Sequence, residues 1–187
     1  MDAIGLVRQD HRRLEALLDR YERTDHDDAG ERTALLAQLD AALRQHVDEE
    51  EALLYPAFPR ADGDLLARAT EQHRRITTLA DELSAIAPTA DSFQPKLRAL
   101  ADAVRDHLDI EDGTLLTALE AVLDDPTLLD LGRRLENRRR VVAAQEALRT
   151  TTTNLVPRPP RGVMVAVAAT AAAIALVAIT RRRARGR

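Results

Sequence analysis

Three observations predict an all-α fold. The composition is 45% apolar but only 2% aromatic, with alanine and leucine dominating, a mixture that favours helix. Apolar residues recur at intervals of three or four through four long stretches, which is the helical period. No alternating strand pattern interrupts them. The chain has 187 residues, enough for one domain and an appendage. It has no cysteine, so disulfides, thiolate chemistry and Cys-ligated zinc or iron–sulfur centres are excluded.

The elements follow in order. Asp2 is placed to cap a first helix over 3–23, whose buried stripe is Ile4, Val7, His11, Leu14, Leu18 and Tyr21. The polar loop TDHDDAG, residues 24–30, closes it. A second helix covers 31–55, with Leu35, Leu36, Leu39 and Leu43 leading into HVDEEEALLYP, where the stripe continues through His46 and Glu49 or Glu50 to Leu53, and Pro56 ends it. A third, over 63–86, shows Leu66, Ala69, His73, Ile76, Ala80 and Leu83. The fourth, over 95–123, carries Leu97, Leu100, Val104, His107, Glu111, Leu115, Ala118 and Val122. Short loops between such amphipathic helices predict an up-down-up-down four-helix bundle over residues 1–123. A fifth helix over 124–150, with Asp125 as cap and Pro126 next, is expected to pack Leu128, Leu131 and Leu135 on the bundle.

A Pro-rich linker over 151–161 precedes GVMVAVAATAAAIALVAIT, residues 162–180, and an arginine-rich tail over 181–187. The uncharged segment would extend roughly 28 Å as a helix. It is read as a single transmembrane helix, able to bring two copies together as a homodimer. No basic-then-apolar leader opens the sequence, so the folded domain is expected on the cytoplasmic side of the cell membrane. Residues 1–123 hold 26 acids against 14 bases, while 124–187 hold 5 against 13. The acidic part argues against nucleic-acid binding, and the basic run RRLENRRR is read as a solvated helix face able to meet anionic head groups.

Each bundle helix places one histidine on its apolar stripe: His11, His46, His73 and His107. Glu50 and Glu111 stand four residues after two of them, on the same helix face. Counted from the connecting turns, the four histidines agree in height to within about 4.5 Å of helical rise. A lone histidine on an apolar face is usually a hydrogen-bonded core residue. Four level histidines with two carboxylates, in a chain with five histidines, would cost several kcal/mol each if buried unpaired. That points to a bound cation. Imidazole with carboxylate suits iron, zinc or manganese, and six donors exceed a structural zinc site. Two bridging glutamates with two histidines per metal would make a dinuclear site with a position open to a small molecule. The ferritin-like Glu-x-x-His signature is absent, because Arg8, Leu43, Thr70 and Val104 stand three residues before the histidines. His26 is read as a solvated loop residue. Arg12, Arg13, Arg74 and Arg75 are expected to face solvent or pair with the acids at 48–51.

The segments DHRRLEALL, HVDEEEALLYP, EQHRRI and HLDIEDGTLL together resemble the hemerythrin-like, HHE cation-binding domain family over roughly residues 1–140. That resemblance implies a four-helix bundle around two non-haem iron ions, bridged by carboxylates and an oxygen species. By it, His11, His46, His73 and His107 are terminal metal ligands and Glu50 and Glu111 bridge. Oxygen-carrying members place another histidine one turn after the third-helix ligand; here that position is Thr77, a poor ligand. One iron would carry solvent or recruit Glu15, Glu49 or Tyr55. The expected partner is a small diatomic or oxidant ligand. Binding or sensing oxygen or nitric oxide, an oxidant-scavenging peroxidase, and a cation-stabilised membrane scaffold are the functional readings.

Overall fold

The structure is a computed structural model that describes residues 1–25, 27–58 and 63–155. Helix α1 is Ala3–Arg23, with the Asp2 carboxylate accepting from the Gly5 amide at 2.7 Å. Helix α2 is Ala29–Glu49, capped by Asp28 through the Glu31 amide. It continues as a π turn, Glu50–Leu54, and a 3-10 turn, Tyr55–Ala57. Helix α3 is Gly63–Ser84. Helix α4, Phe93–Ile110, also passes into a π turn, Glu111–Leu115, and then into α5, Leu116–Val122. Helix α6 is Asp125–Leu155.

The predicted bundle is present. α1 packs mainly on α2 and α3 on α4, with α2 against α3 and α1 against α4 closing the ring. The apolar core forms two clusters. One holds Leu14, Leu18, Leu35, Leu43, Ile76, Leu100 and Val104; the other holds Ile4, Val7, Leu54, Ala69, Leu115, Leu119 and Leu131. Between them, along every helix, lies the level of His11, His46, His73 and His107. Residues 1–142 form one compact unit and 143–187 a second.

Two expectations about phase are corrected. Leu53 and Val122 were placed on the buried stripe, but Leu54 is fully buried and Val122 is 49% exposed, with Leu119 buried instead. The cause is the extra residue in each π turn. The Tyr55 amide donates to Glu50 O and the Leu116 amide to Glu111 O, both across five residues. Such a turn rotates everything after it by one position. The stripe therefore resumes at 54 and at 119, and the half-buried Leu123 follows.

Helix α6 is capped one residue earlier than predicted. Asp124, not Asp125, accepts from the Thr127 amide at 3.0 Å. Leu128, Leu131 and Leu135 are buried as expected. Gly132 faces the Met1–Ala3 backbone so closely that a Cβ there would collide with it. The helix also runs on through Leu155, taking in residues expected to begin the linker. No described helix is long and apolar enough to cross a membrane; residues 162–180 lie outside the described residues, as do the tail and His26.

The π-turn phase is testable with two truncations. Leu119→Ala should destabilise the protein by about 3 kcal/mol, whereas Val122→Ala should change stability by under about 0.5 kcal/mol. Chemical denaturation of both variants measures this, and equal costs would contradict the shifted phase.

Candidate metal centre

The π turns and the helical spacing bring all six predicted side chains to one buried place. His11, His46, Glu50, His73, His107 and Glu111 are each no more than 2% exposed. Two sets of donor atoms fall within 4.8 Å of one another: His46, Glu50, His73 and His107, and His11, His46, Glu50 and Glu111. They overlap at His46 and Glu50. Glu50 lies 3.1 Å from His46 Nδ1 and 3.3 Å from His73 Nε2. Glu111 lies 3.2 Å from both His11 Nε2 and His107 Nε2.

These atoms are close without being satisfied. His11 Nε2, His46 Nδ1, Glu50 Oε1 and both oxygens of Glu111 are buried and lack a hydrogen-bond partner among the described residues. Buried polar atoms are normally paired. His107 Nε2 also faces His73 Nε2 at 3.1 Å and His46 Nε2 at 3.3 Å. Lone pairs and orphaned oxygens converging on one spot is the arrangement a cation relieves, and the donor set fits one.

The outward edges of the rings are held. His11 Nδ1 meets Asp112 Oδ1 at 3.0 Å, His73 Nδ1 meets Glu51 Oε1 at 3.1 Å, and His107 Nδ1 meets Gln72 Oε1 at 3.4 Å. Such partners orient a ligating imidazole and raise its basicity. Asp112 and Glu51 directly follow the two glutamates, so the HxxxE repeat is better read as HxxxE followed by an acid. Gln72 could not have been found from sequence, since its partner is 35 residues away.

The electrostatics are divided against themselves. Burial pushes His46 well below the usual histidine range, and burial beside His107 takes His73 down to about 3. Burial alone would lower His11 too, but Glu111 and Asp112 outweigh it and raise it. Burial, then the charge of Glu111, pushes Glu50 well above the carboxylate range. Glu111 is held well below that range by His107 and His11, against the effect of burial.

The family model of the hemerythrin HHE cation-binding domain matches residues 2–119. The chain belongs to this family. A crystal structure of an HHE cation-binding domain-containing protein from Mycobacterium kansasii aligns with a TM-score of 0.71 at 24% identity. It covers 80% of this chain and 93% of that one, and shows the shared fold. A DNA nickase from Nostoc sp. (strain PCC 7120 / SAG 25.82 / UTEX 2576) is 29% identical over 121 residues. The match takes in 64% of this chain and 34% of the nickase, so the chain spans about a third of that relative. The HHE domain and its buried cluster of histidine and glutamate point to metal binding.

Of the three groups named as substitutes for a residue at Thr77, one reaches the HHE centre. Tyr55 stacks on His73 at 5.4 Å between ring centroids, and its hydroxyl lies 3.2 Å from His73 Nε2 and 3.4 Å from Glu50 Oε2. Burial, then Glu50, raises its pKa. Glu15 is exposed. Glu49 turns the other way, to Arg139 Nη2 at 2.7 Å. The Thr77 hydroxyl bonds its own helix, donating to His73 O at 2.9 Å.

The acids at 48–51 are not neutralised by the arginines beside the ligands. Arg74 pairs with Glu71 in its own helix. Arg138 and Arg139 of α6 take Asp48 and Glu49, and Arg139 also takes Asp10. Part of the basic run is thus a clamp rather than a solvated face, set on the immediate neighbours of His11 and Glu50.

Arg139→Met would leave Glu49, 3% exposed, buried without its partner, which costs about 3 kcal/mol. Arg138→Met breaks an exposed pair worth under about 1 kcal/mol. Denaturant midpoints should therefore separate the two variants, and similar midpoints would refute the clamp. For metal-free protein, His46 and His73 take up protons only on unfolding, so stability falls as pH drops below about 6.5. Glu50 and the less strongly raised Asp10 oppose this, holding their protons in the fold and losing stability as pH rises above about 4, but two histidines outweigh Glu50 once Asp10 has ionised. Above about 6.5 only Glu50 and the raised His11 titrate differently, and stability falls again. Melting temperature of the chelated protein should peak near pH 6.5, and a monotonic profile from pH 5 to 9 would contradict the opposed pairs.

Proposed function

We propose that the HHE domain holds two non-haem iron ions and that its centre binds or senses a small oxidant such as oxygen or nitric oxide. What supports this is the pair of overlapping donor clusters, which share His46 and Glu50 within one buried layer. One ion placed in each cluster would draw on His11, His46, His73 and His107 for nitrogen and on Glu50 and Glu111 for oxygen. Iron supplies redox change and an open coordination position. The chain supplies the rest. Asp112, Glu51 and Gln72 fix the ring orientations, the two apolar clusters exclude water, and Tyr55 presents a protonated hydroxyl between Glu50 and His73.

A second reading, peroxidase or oxidant-scavenging activity, is favoured by one feature. A cleft of about 680 Å3 between α2 and α3 has His73 in its lining, together with Glu51, Thr70 and Thr77. An opening beside His73 gives a small oxidant a way towards the centre and its product a way out. For the segment 162–180 we propose a membrane anchor, with the acidic domain on the cytoplasmic side, no nucleic-acid partner, and self-association through the anchor. Its uncharged length between arginines motivates this, and membrane fractionation of the full chain tests it.

Aerobically purified protein should contain about two irons per chain, as in other carboxylate-bridged helical bundles, with near-ultraviolet bands that change on adding azide. Glu50→Gln and Glu111→Gln should each lose at least half of the metal, while Tyr55→Phe should keep it and alter the azide response. A colourless protein holding zinc would overturn the iron reading. Steady-state peroxide consumption that disappears in Glu50→Gln would favour the enzyme over the sensor.

A further inference from the structure

A second buried charge lies outside the metal layer, at the end of the bundle where α1 turns into α2. Arg32 is 9% exposed, and arginine is rarely so buried without an ion pair. Its Nη1 donates to Thr24 O at 3.0 Å and its Nη2 to the Tyr21 hydroxyl at 2.8 Å. The guanidinium carbon stands 4.1 Å over the Tyr21 ring. These partners are neutral. Among the described residues no carboxylate oxygen comes within 4.0 Å of Arg32; the adjacent Glu31 is taken by Arg20.

Thr24 O and the carbonyl end of α1 account for part of this placement, because a cation there meets the negative end of the helix. They do not use the whole guanidinium, which carries five N–H donors. Arg32 also lines a cavity of about 240 Å3 between α1, α2 and α4. Leu18, Leu97 and Ala101 give that cavity an apolar wall, and Gln94 and Arg98 stand at its other side. Arg98 is exposed and makes no ion pair or hydrogen bond among the described residues. Gln94 and Arg98 belong to the opening turns of α4, whose N-cap Ser92 makes no side-chain capping bond. Of the first four positions only Gln94 has an amide left free among the described residues to add positive character here, since the Phe93 amide donates to Ala90 O, the Lys96 amide donates to Ser92 O and Pro95 has none. The acid in the lining, Glu22, is neutralised by Arg105 at 2.9 Å. Leu18 stands two turns along α1 from His11, about 10 Å away, so this cavity is separate from the metal centre.

We propose that this cavity binds a small organic carboxylate with an apolar body. The carboxylate meets Arg32, Arg98 and the start of α4, and the hydrocarbon lies on Leu18, Leu97 and Ala101. A buried guanidinium with neutral partners supplies the affinity, since a ligand carboxylate adds charge-assisted bonds without first breaking an ion pair. The apolar wall supplies the selectivity for an organic acid over an inorganic anion. Nothing in this proposal rests on the iron reading.

Calorimetric titration of the full-length protein with hexanoate tests it, with hexanol and inorganic phosphate as comparisons. Hexanoate should bind at one site with a Kd of about 1 mM or tighter, and hexanol and phosphate should bind at least about tenfold more weakly. Arg32→Met should weaken hexanoate about tenfold or more and Arg98→Gln about threefold, both without changing metal content. If Arg32→Met does not fold, the exposed Arg98→Gln decides the matter. No saturable heat with hexanoate, hexanol binding as tightly, phosphate binding as tightly, or unchanged affinity in Arg98→Gln would each overturn the proposal.

Discussion

Four imidazoles and two carboxylates packed into one dry layer repel, strand and compete with one another unless a positive charge lies among them. Everything else in the bundle is arranged around that constraint. The apolar clusters on either side raise the cost of leaving a donor unpaired. Glu50 and Glu111 are driven in opposite directions, one towards holding a proton and the other towards losing it. The protein alone leaves five buried donor and acceptor atoms of this layer without a hydrogen-bond partner among the described residues. A cation bound among them would satisfy them, and the energy released would be coupled to folding.

The two π turns are the backbone's answer to the same constraint. Each begins at a centre glutamate, Glu50 or Glu111. A π turn costs hydrogen-bond regularity and is found frequently at functional sites. Here it does two things. It re-aims the downstream apolar residues so that Leu54, Leu116 and Leu119 close the layer from one side. It also swings Tyr55 inwards. In an unbroken α-helix Tyr55 would stand about 140° around from Glu50; with its amide bonded to Glu50 O it stacks on His73 instead.

Helix α6 joins an acidic bundle to a basic end by chemistry that composition alone conceals. The charge asymmetry between residues 1–123 and 124–187 reads as two unlike parts, yet Arg139 enters between Asp10 and Glu49. Those carboxylates adjoin His11 and Glu50 in sequence. Removing the guanidinium would leave both carboxylates unpaired beside the layer, so helix α6 neutralises charge next to the centre. The exposed pair of Arg138 with Asp48 alongside adds little by comparison.

The helices, their order and the level of the four histidines followed from sequence alone, because a 3.6-residue period and short loops leave few ways to stack four stripes. The same reasoning identified Glu50, Glu111 and the buried leucines of α6. Local rules stop where the backbone departs from that period. The π turns displaced Leu53 and Val122 from the core and brought Tyr55 to the centre, and no residue pattern around Glu50 or Glu111 announces the extra residue. Longer-range partners were also out of reach. The bond from His11 to Asp112 spans 101 positions and that from Arg139 to Glu49 spans 90. Which side chains meet across such distances depends on how each helix is rotated and spaced against the next, a property of the packed core rather than of any segment.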